Sequence, residues 1–215
     1  MIIGVSGKAR SGKGEFARIA KEEFGATVVS FAGPLKEEIG HFLTESLVKW
    51  DPRHLYGGQE DKEELLRVCL SNIPVDHPFW PHACEFFLKH GRQIGRVTFL
   101  FSSRTLMQYW GAEFRRENFG EDYWVKKALA QCSDPDKLYV IDDVRFPNEA
   151  QGVLDAGGKL VRVSRPNAPQ PSNPEHPSET AMDAWEGHWD YAIFNCLSLR
   201  DYHEVCRGIL EDITK

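Results

Sequence analysis

The N-terminal stretch MIIGVSGKARSGKGEF, residues 1–16, joins a short apolar run to a turn rich in glycine and lysine. Residues 7–14 read Gly7-x-x-x-x-Gly12-Lys13-Gly14, the spacing of a phosphate-binding loop, in which backbone N–H groups converge on an anion at a helix start. The usual motif has a serine or threonine after the lysine to ligate magnesium, whereas this chain has Gly14. The stretch predicts a strand, a phosphate-binding loop and a helix, with metal binding arranged differently.

Length and composition indicate one globular domain with an additional subregion. The chain has 215 residues, of which 41% are hydrophobic and 27% charged. A net charge of -6 argues against a coat for nucleic-acid polymers, because such proteins usually carry a basic excess. No apolar run approaches the roughly 20 residues that cross a membrane, and five cysteines without a C-x-x-C pair favour a reduced setting. We therefore expect a cytoplasmic protein without membrane contact.

Apolar runs and helical periodicities alternate along most of the chain, which predicts a parallel sheet covered by helices on both faces. The runs expected to form strands are residues 1–6, 26–32, 138–141, 159–164 and 191–194. The segments expected to form helices are residues 13–24, a segment starting at Gly33-Pro34, and residues 103–114, 121–131 and 198–213. The predicted fold class is α/β, with three layers around a central parallel sheet of about five strands.

Two segments interrupt this alternation. Between about residues 50 and 101 the pattern loosens into a charged stretch and a loop rich in proline, histidine and tryptophan. We interpret it as an inserted, mainly helical region on the substrate side. Residues 165–180 are rich in proline and predict a lid-like loop. Both segments are assigned to one domain, residues 1–215.

Charged residues follow the apolar run of residues 138–141, in the order Asp142, Asp143 and Arg145. Open α/β sheets bind ligands at the carboxyl ends of their strands, where these side chains are expected. Because side chains alternate along a strand, Asp142 and Asp143 should serve different roles, and Asp143 and Arg145 should share a face. We place Asp143 near a magnesium ion, acting through water. The alternative is a solvated strand end with a structural ion pair.

Six motifs resemble, in their order along the chain, those of phage-type deoxynucleoside monophosphate kinases, which are P-loop enzymes. They are SGKARSGK (6–13), GPLK (33–36), TLMQYWG (105–111), DYWV (122–125), DVRFPNE (143–149) and HPSE (176–179). DVRFPNE and LMQYWG are the more specific, because a phosphate-binding loop alone is shared by many unrelated NTPases. The resemblance covers most of the chain apart from about residues 50–100. Glycine after the lysine also resembles kinases of the adenylate kinase type.

The resemblance implies a kinase that uses ATP and magnesium to phosphorylate a deoxynucleoside monophosphate, giving the diphosphate and ADP. Donor and acceptor phosphates repel each other, so such a site needs cations around both. The catalytic candidates are Lys13, Arg145 and Asp143. The candidates for ATP binding are Gly7, Lys8, Ala9, Arg10, Ser11, Gly12, Lys13, Gly14, Glu15 and Asn195. The candidates for substrate binding are Lys36, Arg104, Gln108, Trp124, Arg145, Glu149 and Glu179.

Several of these residues also have structural interpretations. Lys36 suits an acceptor phosphate or an exposed helix position, and Trp124 suits a base contact or the core. Glu149 can orient Arg145, contact the deoxyribose or complement a helix dipole. His176 and Glu179 are expected to close over phosphates, and Asn195 to lie near the adenine.

Two other functions fit part of the sequence. Phosphomevalonate kinases of the animal type also resemble the loop and the GPLK segment, and DVRFPNE separates them from this chain. A nucleotide-dependent switch would use ATP without transferring phosphate, but it needs fewer cations far from the loop. The expected partners are small molecules, namely ATP and a deoxynucleoside monophosphate, and the resemblance favours a homodimer in the host cytoplasm. Base preference depends on pocket shape, which one sequence does not determine.

Overall fold

The computed structural model describes residues 1–168, 177–196 and 198–215. It divides into two compact units, each considered by itself: Met1–Ala32 with Trp124–Lys215, called the sheet unit, and Gly33–Tyr123, called the second unit. The predicted insertion, residues 50–101, lies inside the second unit. That unit begins 17 residues before the insertion and ends 22 residues after it. Within the described ranges, no helix is long and apolar enough to cross a bilayer.

Strands and helices are numbered in chain order. The strands of the described residues are β1 (Ile2–Ser6), β2 (Thr27–Val29), β3 (Leu65–Cys69), β4 (Arg92–Gln93), β5 (Thr98–Ser102), β6 (Tyr139–Val144), β7 (Lys159–Ser164) and β8 (Tyr191–Phe194). The α-helices are α1 (Lys13–Phe24), α2 (Gly33–Glu45), α3 (Arg53–Tyr56), α4 (Gln59–Glu63), α5 (Trp80–His90), α6 (Ser103–Tyr109), α7 (Glu117–Phe119), α8 (Tyr123–Leu129), α9 (Pro147–Asp155), α10 (Pro177–Thr180) and α11 (Leu199–Ile213). Trp110–Arg116 is π-helical, and Leu70–Asn72 and Ala181–Ala184 are 3-10 turns.

The sheet unit contains a five-stranded sheet in the order β2-β6-β1-β7-β8. All four pairings are parallel, which confirms the predicted sheet. The chain runs from β1 outward to β2, then returns through β6 and crosses β1 to reach β7. The carboxyl end of β1 therefore lies where the direction of winding changes, the usual position of a ligand site in such sheets.

Helices cover both faces of this sheet, so the three-layer prediction is also confirmed. On one face, α1 and α11 pack against Ile3, Val5 and their neighbours in one apolar cluster. On the other face, α8 and α9 pack around Ile2 and Ile141. The buried side of α11 is built from Tyr202, Cys206, Leu210 and Ile213, whose spacing of three or four residues places them on one face of a helix.

The strand β6 is longer than predicted and contains a bulge. Its register with β1 passes from Gly4 opposite Ile141 to Ser6 opposite Val144, so two residues, Asp142 and Asp143, face one. Ile141 and Val144 consequently belong to the same apolar cluster. The strict alternation that we expected at this strand end is therefore wrong.

The second unit contains a three-stranded antiparallel sheet, in the order β3-β5-β4, that the sequence analysis did not predict. Its core is aromatic: Phe79 stacks on Trp110 at 4.6 Å between ring centroids, and Phe86 meets Phe87 edge to face at 4.9 Å. The helix expected over 103–114 remains α-helical to Tyr109 and then widens into the π-helical segment. Of the lid-like loop expected over 165–180, residues 169–176 lie outside the described residues, and Pro177–Thr180 form α10.

The close packing at Gly4 gives a test of the sheet unit. A β-carbon there would lie 2.9 Å from Leu160 Cδ2 and 3.1 Å from Val153 Cγ2. We expect Gly4→Ala to lower the free energy of unfolding by about 1–3 kcal/mol through overpacking, measured by urea denaturation.

Gly208 in α11 is the matched control, because no described atom lies within 4 Å of its missing β-carbon. Gly208→Ala should raise stability by roughly 0.5–1 kcal/mol, since alanine is the better helix former. Equal midpoints for the two variants would contradict the packing around Gly4.

Candidate active site

The loop between β1 and α1 turns on residues in the left-handed region of backbone conformation. Gly7 has φ of +154°, Arg10 of +62° and Gly12 of +117°. A β-carbon on Gly7 would lie 2.2 Å from the carbonyl oxygen of Val163, so only glycine allows the loop to approach β7 this closely. Gly12 is the N-cap of α1, and no described side chain caps this helix. No described side chain therefore competes with an anion for the N–H groups at the start of α1.

Lys13 is held beneath this loop by the loop's own backbone. Its Nζ donates to the carbonyl oxygens of Gly7 at 2.5 Å and Lys8 at 2.8 Å. The side chain is 8% exposed. Burial, aided by the positive charge of Arg145, lowers the pKa of Lys13 from 10.5 to about 8, against the opposing effects of Glu179, Asp142 and Asp143.

The residues after β8 and on α11 support the loop from behind. Asn195 Nδ2 donates to the carbonyl oxygen of Ser11 at 2.8 Å, and the hydroxyl of Tyr202 donates to that of Gly12 at 2.9 Å. A β-carbon on Gly12 would lie 2.8 Å from Asn195 Nδ2. The side chain of Asn195 thus contacts the backbone of the phosphate-binding loop. The contact with adenine that we expected for Asn195 stays a prediction.

Glu179 joins the loop to Arg145. Its Oε2 accepts from the backbone N–H of Ala9 at 2.8 Å, and its Oε1 pairs with Nη1 of Arg145 at 2.6 Å. Although burial raises the pKa of Glu179, these two donors outweigh burial and keep that pKa below its usual value. Arg145 and Glu179 line one cavity with Gly7, Lys8 and Arg162. Glu179 therefore contacts two other candidate residues, Ala9 and Arg145.

Asp183 forms the other wall of that cavity, which the sequence analysis did not identify. Its carboxylate pairs with Nζ of Lys8 at 2.9 Å and with Nη2 of Arg162 at 3.2 Å. Arg162 also donates to the carbonyl oxygen of Met182 at 3.0 Å. The charge of Lys8, a loop residue, is therefore partly balanced by a partner in the 3-10 turn after α10.

Asp143 ties the end of β6 to the segment that follows β2. Its Oδ2 accepts from Ser30 Oγ at 2.6 Å and from the N–H of Ala32 at 3.2 Å, and its Oδ1 accepts from the N–H of Phe31 at 2.8 Å. Asp142 has the larger electrostatic effect on Lys13. Both carboxylates thus lie at the carboxyl edge of β6, and one of them has a defined structural role.

Glu149 holds the start of α9. Its Oε2 accepts from the backbone N–H groups of Arg145 at 2.7 Å and Phe146 at 3.1 Å. Glu149 is buried, with 5% of its surface exposed. It therefore fixes the backbone from which the Arg145 side chain extends, as one of its sequence interpretations suggested.

The remaining candidates of the loop differ in their surroundings. No described atom lies within 4 Å of the β-carbon that Gly14 lacks, so the space in front of it is open. Ser11 Oγ is buried without a hydrogen-bond partner among the described residues. Glu15 accepts from Arg18 at 2.8 Å and lies 2.5 Å from Nε2 of His203. Its carboxylate is thus engaged with α1 and α11, and Arg18 above all lowers its pKa.

The other substrate candidates lie in different places. Lys36, Arg104 and Gln108 belong to the second unit, on α2 and α6. Trp124 in the sheet unit is 3% exposed, which favours packing, and its contact with a base stays a prediction. Arg115 pairs with Glu38 at 2.8 Å inside the second unit. His176 lies outside the described residues. Within those residues, no group of three His, Cys, Asp or Glu side chains could hold a metal ion.

Comparison with known proteins gives a family and three relatives for this chain. The sequence model of the family described as "Deoxynucleotide monophosphate kinase" matches residues 85–205, more than half of the chain. The chain belongs to this family. A "Deoxynucleotide monophosphate kinase" of Enterobacteria phage T4 is 24% identical over 98% of both chains. A "Deoxynucleoside-5'-monophosphate kinase" of Escherichia phage T5 is 24% identical over 86% of both.

A third relative, from Acanthamoeba polyphaga mimivirus, is 24% identical over 94% of this kinase and 92% of its own length. The family match begins inside α5 and ends inside α11, so it includes Arg104, Arg145 and Glu179 but not the phosphate-binding loop. The matches to the three relatives cover between 86% and 98% of the chain.

The lowered pKa of Lys13 predicts that this kinase takes up protons when it binds ATP. At pH 8 about half of the Lys13 side chains are neutral in the free protein, and a polyphosphate raises the pKa by favouring the charged form. We expect uptake of about half a proton per ATP at pH 8, falling towards zero by pH 6.5 after ATP's own ionisation is subtracted. Calorimetry in buffers of different ionisation enthalpy measures this number.

Lys13→Arg is the control, because arginine stays charged throughout this range. It should bind ATP without the additional uptake at pH 8. The same uptake in both proteins would contradict the assignment to Lys13.

Proposed function

We propose that this kinase transfers the γ-phosphoryl group of ATP to the 5′-phosphate of a deoxynucleoside monophosphate. An oxygen of the acceptor phosphate attacks the γ-phosphorus while the bond to the β,γ-bridging oxygen breaks, which yields the diphosphate and ADP. The observation that carries this proposal is the phosphate-binding loop of a family member, in which Lys13 lies close to Arg145 and Glu179. Catalysis of this reaction rests mainly on positioning and neutralisation of charge.

The donor side fits a nucleotide triphosphate. The uncapped first turn of α1 presents N–H groups to an anion, and the missing β-carbons of Gly7 and Gly12 keep the loop tight. Lys13 adds a positive charge that already lies against the loop backbone. We assign the β- and γ-phosphates to Lys13 and the loop N–H groups, and the rest of ATP to the neighbourhood of Asn195.

The Arg145 side chain suits the phosphoryl group in transfer. Arg145 shares that cavity with Gly7 and Lys8, and Glu149 fixes its backbone. A guanidinium group holds two phosphate oxygens at once, which suits it to the charge that spreads over the transferred group. We assign this role to Arg145, with Glu179 as the carboxylate that orients it.

The described residues offer few direct ligands for a magnesium ion, so the ion would be held mainly by the phosphates and by water. A hydrated magnesium ion bound to the phosphates needs carboxylates mainly for its water molecules, and Asp142 and Asp143 are the carboxylates at this edge of the sheet. We propose that they orient those waters, with Asp143 limited by its bonds to residues 30–32. When bound, the ion neutralises phosphate charge.

The acceptor is assigned to Lys36, Arg104 and Gln108 of the second unit. The two cations suit a 5′-phosphate, and the exposed amide of Gln108 suits a base or sugar edge. A phosphomevalonate-type kinase shares the loop but is not the family that matches this chain. We propose the host cytoplasm as the setting and a homodimer as the assembly, which sedimentation can measure.

A coupled assay of ADP release tests the reaction. We expect turnover only when ATP, magnesium and at least one of the four deoxynucleoside monophosphates are all present. A small-molecule kinase of another specificity would ignore all four acceptors, and a nucleotide-dependent switch would hydrolyse ATP at the same rate without them. Either result would remove the proposed function.

Two substitutions separate the roles in the sheet unit. Lys13→Ala should lower kcat by about 1,000-fold or more, because the transferred group loses its donor-side cation. Arg145→Ala should lower kcat by a similar order while the KM for ATP changes little, because it acts mainly on the transition state.

Arg200→Ala is the matched control, since Arg200 is 86% exposed on α11 and pairs only weakly with Glu204 at 3.3 Å. Its kinetic constants should equal those of the wild type. Full activity in Lys13→Ala would rule out the mechanism based on the loop.

A further inference from the structure

A buried serine fixes three helices of the second unit at one point. Ser103, the first residue of α6, is fully buried, and its hydroxyl contacts the carbonyl oxygen of His54 on α3. It also contacts the carbonyl oxygen of Lys62 on α4, at 3.2 Å. Arg104 is the next residue along the chain. The starting turn of α6 therefore lies directly against the backbone of Lys62.

Three cations collect around this junction. Burial lowers the pKa of Lys62, and the positive charges of Lys36 and Arg104 lower that pKa further, against the smaller opposite effect of Asp61. Arg104 Nε lies 3.4 Å from Glu63, and its side chain is 39% exposed. Like charges at close range destabilise one another unless an anion shares them. Lys36 and Arg104 thus lie close enough to the partly buried Lys62 for their charges to act on it, at the junction that Ser103 fixes.

A cavity adjoins this cation cluster. It measures about 440 Å³, a volume that suits a small organic ligand, and is lined by Lys36, Glu37, Thr44, Glu45, Trp50 and Tyr56 among others. Lys36 Nζ lies 5.2 Å from the centre of the Tyr56 ring, which connects the cavity to the cluster. Tyr56 is 54% exposed, so its ring has a free face. Base stacking on such a ring is favourable for every base.

Trp50, which also lines this cavity, is held in place by contacts with α2. Its indole Nε1 donates to Thr44 Oγ1 at 3.1 Å. A β-carbon on Gly40 would lie 3.1 Å from Trp50 Cη2, so glycine at this position makes room for the indole on α2. Aromatic side chains thus lie beside a cluster of cations, the combination that a nucleotide requires of a binding site.

We propose that Lys62 is a third cation on the 5′-phosphate of the acceptor, beside Lys36 and Arg104, and that the nucleoside lies against Tyr56 in the adjoining cavity. This inference rests on the proposed function and adds two residues to it. Lys62 contributes a point charge and Arg104 a planar fork, so the phosphate is held from different directions. The same junction at Ser103 positions both cations.

Lys62→Gln tests the inference, because it removes the charge and keeps most of the side chain. The KM for the deoxynucleoside monophosphate should rise about 10- to 100-fold, as expected for loss of a hydrogen bond between two charged groups. The KM for ATP should change less than twofold. Lys89→Gln is the matched control, since Lys89 is an exposed lysine of the same unit that pairs with Glu113 at 3.6 Å.

A second measurement separates contact with the phosphate from a structural role. Lys62→Gln should weaken binding of the monophosphate. It should leave unchanged the inhibition by the corresponding deoxynucleoside, which lacks the phosphate. Lys62→Arg should restore most of the affinity for the monophosphate. Tyr56→Ala should weaken binding of the monophosphate and of the deoxynucleoside about equally, because it removes a contact with the nucleoside that both contain.

The possible outcomes separate this inference from the proposed function. If the wild type phosphorylates a deoxynucleoside monophosphate and Lys62→Gln leaves its KM unchanged, the inference fails and the function stands. Equal weakening of nucleotide and nucleoside by Lys62→Gln also overturns it. A wild type that neither binds nor phosphorylates any of the four acceptors overturns both.

Discussion

The position of the phosphate-binding loop depends on a close approach between two backbones. Gly7 lies so close to the backbone of Val163 that a β-carbon on Gly7 would be 2.2 Å from the carbonyl oxygen of Val163. Only a residue without a side chain fits at this position. With the loop seated there, Lys13 reaches the carbonyl oxygens of Gly7 and Lys8, and Asn195 and Tyr202 reach the loop from behind. Gly7 itself lines the cavity beside Arg145, so this close approach sets one wall of that cavity.

Local sequence patterns were enough to predict the five strands of the sheet unit and its helices α1, α8 and α11, whereas α9 was not predicted. The apolar run before Gly7 and the periodicity after Gly12 depend on near neighbours, and β1 and α1 were found within a residue of the expected bounds. The bulge at Asp142 and Asp143 could not be predicted, because it depends on register with β1. The antiparallel sheet of the second unit was missed for a related reason: its strands pair across a helix and a long loop, and β4 has only two residues.

The candidate site was predictable at the level of residue types and less so at the level of roles. Charge and motif pointed to Lys13, Arg145 and Glu179, and the structure brings all three together. The side chain of Glu149 accepts from the backbone N–H of Arg145, and the side chain of Asn195 donates to the backbone of the loop. One sequence does not show which of several possible partners such a side chain contacts. Lys62 lay unnoticed in a charged segment, since its neighbours Lys36 and Arg104 are remote along the chain.

Glu179 has a consequence for how a nucleotide enters. Its carboxylate already occupies the N–H of Ala9 and the guanidinium of Arg145, two donors suited to phosphate oxygens. The free protein therefore carries its own anion in the site. A polyphosphate bound at the loop would meet an arginine whose orientation and charge balance Glu179 has already set. A site of this kind avoids leaving partly buried cations unbalanced between turnovers.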